Sequence, residues 1–190
     1  MPTETRTGKL RVLDFDIENR PLTYLGQDFT TSDITAIAWS FGGPIECRLL
    51  VNDPDGVSQC DMLLDFQSAY DLADIVTGHY IRMHDLPIIN GALCEWGLEP
   101  LTPKLVSDTK VDLIGFKGVS KSQESLAGML GIRAPKITMT QTDWREANRL
   151  TDSGLALTKR RVVADVRQHM KLRAELLERG MLKAPTYWQP

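Results

Sequence analysis

The run Leu13-Asp14-Phe15-Asp16-Ile17-Glu18 constrains this chain more than any other stretch. Acidic and apolar residues alternate in it. As an extended strand it places Asp14, Asp16 and Glu18 on one face and Phe15 and Ile17 on the other. Adjacent anions at the end of a strand repel, and two readings of Asp16 and Glu18 stand at this point. One is a solvated strand end. The other is a divalent-cation site, because carboxylates are the hard oxygen ligands that magnesium and manganese favour.

A chain of 190 residues suits one domain with a real core, and 42% hydrophobic with 25% charged residues is ordinary for a globular protein. A net charge of −3 excludes a protein-wide positive field, so a nucleic-acid partner must be held by local basic clusters or through metal ions. Cys47, Cys60 and Cys94 are odd in number and lack metal-ligand spacing, which points to a reduced, cytoplasmic setting. The polar stretch 1–9 is no secretory signal, and no stretch approaches the roughly 20 apolar residues needed to cross a bilayer.

In order, residues 10–17 read as a strand that Asn19-Arg20-Pro21 interrupts, with a loop to residue 33. Residues 34–41 and 45–51 read as an antiparallel hairpin around Gly42-Gly43-Pro44, and 52–56 as a turn. Helical spacing covers 58–72 and 85–96, with a short strand at 75–76 between them. A last strand at 105–106 leads through Asp108 to Asp112, followed by a helix at 122–130 and a short helix that Asp143 caps. The long helix spans about 155–179, stopped by Gly180. A hairpin followed by strand–helix alternation implies an α/β fold with a mixed sheet flanked by helices. The reading gives one domain over residues 1–182 and a tail over 183–190.

Two further acids have positions of interest. Asp85 follows a short strand at the start of a helix, where sites form in open sheets, although composition alone favours an ordinary N-cap. Asp165 lies near the edge of the long helix's apolar face, with Arg161 and His169 four residues to either side. An i,i+4 ion pair on a solvated face is the competing explanation.

Together these motifs resemble the DEDD superfamily of 3′–5′ exonucleases, the DnaQ-like group with a ribonuclease H-like fold. Asp16 and Glu18 match its first motif. Gly78-His79-Tyr80-Ile81-Arg82-Met83-His84-Asp85-Leu86-Pro87 is similar to its second, and Asp165 falls where the third supplies its aspartate. Short stand-alone members of this kind look like those carried by bacteriophages, which would make the setting a host cytoplasm. The resemblance implies hydrolysis of single-stranded DNA 3′ ends, in proofreading or DNA processing. It also implies two Mg2+ or Mn2+ ions held by Asp16, Glu18, Asp85 and Asp165.

The chain departs from the family pattern. Arg161 and Arg160 stand where the family carries a tyrosine or histidine that orients the attacking water. Arginine stays protonated and cannot serve as a general base. Arg161 is therefore a candidate for gripping phosphate or a site carboxylate, and His169 or His84 for the base. Tyr80 replaces a usual asparagine and Asn19 a common threonine. Ile17, Asn19, Tyr80 and Arg160 are the candidate nucleic-acid contacts, with a basic rim of Lys110, Lys117, Lys121, Arg133, Lys136 and Lys159. Tyr187 and Trp188 in the tail are candidates for docking a replication protein. The alternatives are a nucleic-acid-binding or polymerase-accessory module with weakened chemistry, and an RNA-trimming enzyme.

Overall fold

The computed structural model describes residues 8–22, 30–51, 57–134 and 136–190. At its centre lies β1 (Val12–Pro21), antiparallel to β2 (Ser32–Ser40) on one side and parallel to β4 (Ile75–Gly78) on the other. Beyond these, β3 (Glu46–Leu49) pairs antiparallel with β2, β5 (Lys104–Asp108) parallel with β4, and β6 (Thr186–Trp188) antiparallel with β5. The sheet order is β3-β2-β1-β4-β5-β6. It is a mixed sheet of the ribonuclease H-like α/β kind.

The alternation in β1 decides the layering. Leu13, Phe15 and Ile17 face α1 (Val57–Leu72) and α2 (Asp85–Glu95), packing among Phe66, Tyr70, Leu86, Ile89 and Leu93. The Phe66 ring is the hub, 5.0 Å from Phe15, 5.9 Å from Trp39 and 6.2 Å from Tyr70 between centroids. Full burial of each such side chain stabilises by about 1.5–3 kcal/mol.

The opposite face is covered by α6 (Asp152–Glu178), whose Val162 and Val166 meet Ala36 and Ala38 of β2. In the β1–β2 register those alanines stand opposite Glu18 and Asp16. Small neighbours let the helix lie close over the acidic face. Leu172 and Leu176 of α6 pack with Leu113, just beyond α3 (Thr109–Asp112), and Leu126 of α4 (Gln123–Met129). A short helix, α5 (Gln141–Asn148), precedes α6.

Four expectations change. β1 does not stop at Asn19; it runs to Pro21, with a bulge between Glu18 and Asn19 and Pro21 at the last paired position. Asp143 is not the cap of α5: Thr140 is, and Asp143 is its capping-box partner. Asp85 is not an N-cap but the first residue of α2, after His84. Residues 183–190 are not a detached tail, because β6 adds a strand to the sheet and Trp188 packs against the core. Arg82 fastens that strand, donating to Val106 O, Thr186 O and Thr186 Oγ1. The turn expected at 52–56 and the stretch 23–29 lie outside the described residues.

Candidate metal-binding cleft

The acidic face of β1 meets one stripe of α6, made of Arg161, Asp165, His169 and Arg173. Every second strand residue advances about 6.6 Å and every fourth helix residue about 6 Å, so the two ladders stay in step. Glu18 pairs with Arg161, whose Nε reaches Oε1 at 2.5 Å. Asp16 lies beside Asp165. Asp14 receives two parallel bonds from Arg173, Nε to Oδ1 and Nη2 to Oδ2, both 2.8 Å. His169 Nδ1 stands 3.1 Å from Asp14 Oδ1 but makes no well-aligned hydrogen bond.

Asp14 is fully buried, not the solvated or peripheral acid that its sequence position allows. Burial pushes its pKa up, but the adjoining His169 ring and the bonded Arg173 guanidinium outweigh that and hold the carboxyl below its ordinary value. Asp14, His169 and Arg173 thus close the deep end of the ladder.

The other end opens as a cleft of about 330 Å³, lined by Asp16, Glu18, Asp85 and Asp165 together with Lys136 and Arg161. One oxygen each from Asp16, Glu18 and Asp165 lies within 4.8 Å of the others. That spread suits ligands around one hard cation at about 2.0–2.6 Å from each. Burial first, then the charges of Asp85, Asp165 and Glu18, push the Asp16 carboxyl well above its ordinary value. Burial lifts Glu18 to about 7 against the pull of Arg161. Asp165 is also raised by burial, against Lys136 and Arg161. Asp165 is 4% exposed, and its Oδ1 has no hydrogen-bond partner. A buried, unpartnered carboxylate oxygen among repelling acids fits a divalent cation.

Asp85 comes from α2 rather than from the β1–α6 ladder. Its Oδ1 accepts the Ile17 amide at 3.1 Å, which ties the start of α2 to the acidic strand. Burial lifts this carboxyl to about 7, offset in part by the amides of Ile17 and of Asp85 itself.

The loop before α2 is built on Asp108, buried at the end of β5. Its carboxylate accepts the amides of Tyr80, Arg82, Lys110 and Val111 at 2.9–3.1 Å. This holds Tyr80 at φ +78° and brings its ring under Lys110 Nζ, 3.8 Å from the centroid. Beside it, His79 Nε2 donates to Lys121 O and Nδ1 meets Thr109 Oγ1, both at 2.9 Å. Burial takes the His79 pKa down to about 4.

Of the residues singled out in the sequence, Asp16, Ile17, Glu18, Asn19, Tyr80, Asp85, Arg161 and Asp165 all line the cleft. Two do not. Arg160 is exposed and absent from the lining, since it faces about 100° round α6 from Arg161. His169 is 1% exposed beside Asp14, so it is not placed to meet a water in the cleft; His84 lines the cleft instead. Sequence reasoning missed Gln123 and Gln168. Gln123 Nε2 donates to Asp165 O at 3.0 Å and to Gln168 Oε1 at 3.2 Å, bracing the helix at Asp165. Their signal was a polar residue falling on the buried stripe of a helix. Trp144 lies under Arg161, 5.0 Å from guanidinium carbon to ring centroid.

No protein-family model matches the chain, and no curated protein matches it in sequence. Among solved structures it is similar to the family B DNA polymerase from the hyperthermophilic archaeon Pyrobaculum calidifontis, with a TM-score of 0.69 and 19% sequence identity. The match covers 90% of this chain and 25% of the polymerase chain, so the chain spans about a quarter of that protein's length. At that identity the likeness shows the fold: a ribonuclease H-like mixed sheet flanked by helices.

Proposed function

We propose that this protein is a metal-dependent 3′–5′ exonuclease that hydrolyses phosphodiester bonds at single-stranded DNA ends, a DEDD-type enzyme with Mg2+ or Mn2+ as its cofactor. The observation that carries this reading is the convergence of Asp16, Glu18, Asp85 and Asp165, from three separate elements, on one cleft of matching charge and size. The similarity of the fold to a DNA polymerase favours DNA as the polymer.

A divalent ion in the cleft would lower the pKa of a water to near neutrality and take up charge on the leaving 3′-oxygen. The chain's own residues do the rest. Asp16, Glu18 and Asp165 would hold the ion, and Asp85 fixes the Ile17 backbone on which the first motif depends. Lys110 and Tyr80 at the mouth offer a cation and an aromatic ring to a nucleotide. His84, which lines the cleft and makes no side-chain capping bond to α2, is the candidate to take a proton.

The test is digestion of end-labelled single-stranded DNA, with RNA of the same sequence beside it, in Mg2+ and in Mn2+. Stepwise shortening from the 3′ end is expected, and Asp16→Ala should lower the rate on the order of 10²–10³-fold or more. Intact DNA and RNA with both metals would sink the reading. A second reading, a nucleic-acid-binding module with little chemistry, is favoured by Arg161, which occupies Glu18 where a water-orienting side chain is expected. Binding of the DNA without turnover would select it. Preference for the RNA would select the RNA-trimming alternative, through contacts to the 2′-hydroxyl.

A further inference from the structure

Arg161 does more than depart from a motif. Its Nε sits on Glu18 Oε1, its Nη2 is 3.7 Å from Asp165 Oδ2, and its Nη1 donates to Ile137 O at 3.0 Å. Trp144 covers the guanidinium. Four anchors on one side chain fix this charge in place inside the acidic cluster. Lys136 adds a second charge, with Nζ 3.5 Å from Asp165 Oδ2.

We infer that the cleft takes one divalent cation rather than two, and that Arg161 and Lys136 together supply in place of the second ion the two positive charges that the clustered acids require. The inference rests on the metal-site reading of the cleft. Four carboxylates face two fixed cations, which leaves two formal negative charges, the charge of one divalent ion. A second ion would bring the fixed and bound positive charge above that of the acids, in a site where charges are poorly screened.

The ligand atoms lead to the same count. The three carboxylate oxygens that cluster within 4.8 Å describe a single position, at Asp16, Glu18 and Asp165. Asp165 Oδ1, buried and without a partner, is the oxygen left to complete it. What a second ion would need is already engaged. One oxygen of Glu18 is held by Arg161, and Asp85 Oδ1 by the Ile17 amide. Lys110, the remaining cation of the lining, lies over the Tyr80 ring.

The experiment is a titration of the metal-free full chain with Mn2+ at pH 8, in the absence of nucleic acid. Bound ion is counted by the loss of the free-ion paramagnetic resonance signal and, independently, by calorimetry. The wild type is expected to bind one equivalent. Arg161→Gln combined with Lys136→Gln, which removes both charges, is expected to bind two, and Arg161→Lys, which keeps the charge, to bind one. Arg161→Tyr with Lys136→Met replaces the double variant if circular dichroism shows that variant unfolded. Two equivalents on the wild type would overturn the inference and leave the metal site standing. One equivalent on the wild type and the double variant alike would remove the two cations as the cause. No binding at all would overturn the metal-site reading itself.

Discussion

Tyr80 is held at φ +78°, a left-handed conformation that costs a residue with a Cβ roughly 1–2 kcal/mol and that asparagine tolerates far better. The DEDD-like motif that this segment resembles carries asparagine there, and the backbone supplies a reason. The amide of residue 80 has to point at Asp108. Replacing Tyr80 by Asn should relieve the strain while forfeiting the ring's contact with Lys110, worth about 0.5–1 kcal/mol at an exposed site. The expected net is a gain of roughly 0.5–1 kcal/mol, about 1–3 °C in the unfolding midpoint for a chain of this size, with weaker binding of single-stranded DNA. A melting curve and a binding isotherm on the same sample check both. A destabilised variant would show that the ring contact outweighs the strain.

The helix that carries the site is set by its first turn. Thr151 caps α6 by accepting the Gly154 amide, and α5 crosses so closely that a Cβ at Gly154 would lie 2.2 Å from the Glu146 carbonyl oxygen. Gly154→Ala must therefore push backbone against backbone. It should destabilise the protein by roughly 1–3 kcal/mol in denaturant unfolding and, by shifting Arg161 and Asp165, weaken Mn2+ binding.

How legible this element was from the sequence depends on the question asked. The apolar positions Val162, Val166 and Leu176 give the helix and its buried side, since only periodicity is needed. The stripe Arg161, Asp165, His169 and Arg173 reads equally well as solvated i,i+4 charges, and only the register against β1 shows that it is buried against Asp14, Asp16 and Glu18. Asp16, Glu18 and Asp85 were legible because acids at strand and helix ends leave a mark in the sequence. The misplacement of His169 has the same cause as the missed role of Asp14: two residues distant in sequence form one buried pair. Three residues of β6 carry too little pattern to predict a pairing with β5.

On the scale of the whole molecule, the acids at the centre set how stability responds to pH. Asp16, Glu18, Asp85 and Asp165 all have folded-state pKa values above their ordinary 3.8 or 4.5, Glu18 and Asp85 at about 7. Between about pH 4 and 7 the folded state therefore holds more protons than the unfolded one, and stability falls as pH rises. Asp14 works in the other direction. Its lowered pKa contributes stability above the ordinary carboxylate range that is lost as pH falls through that range. Thermal melts of the metal-free protein should thus show higher stability near pH 5 than near pH 7.5. Added Mn2+ should raise the midpoint more at pH 7.5, where the acids are ionised and ready to bind it. Equal metal effects at both pH values would contradict this.

The final strand has its own consequence for the shape of the chain that can persist in solution. Because β6 pairs with Lys104–Val106, the backbone donors and acceptors on that side of this part of β5 are paired within one molecule. Tyr187, 71% exposed, is left on the outside. A chain cut before residue 186 loses this cover and presents a bare strand edge, the template on which identical copies add to one another and aggregate. The three residues of β6 thus replace a five-residue edge by a shorter one, which offers less to a second copy.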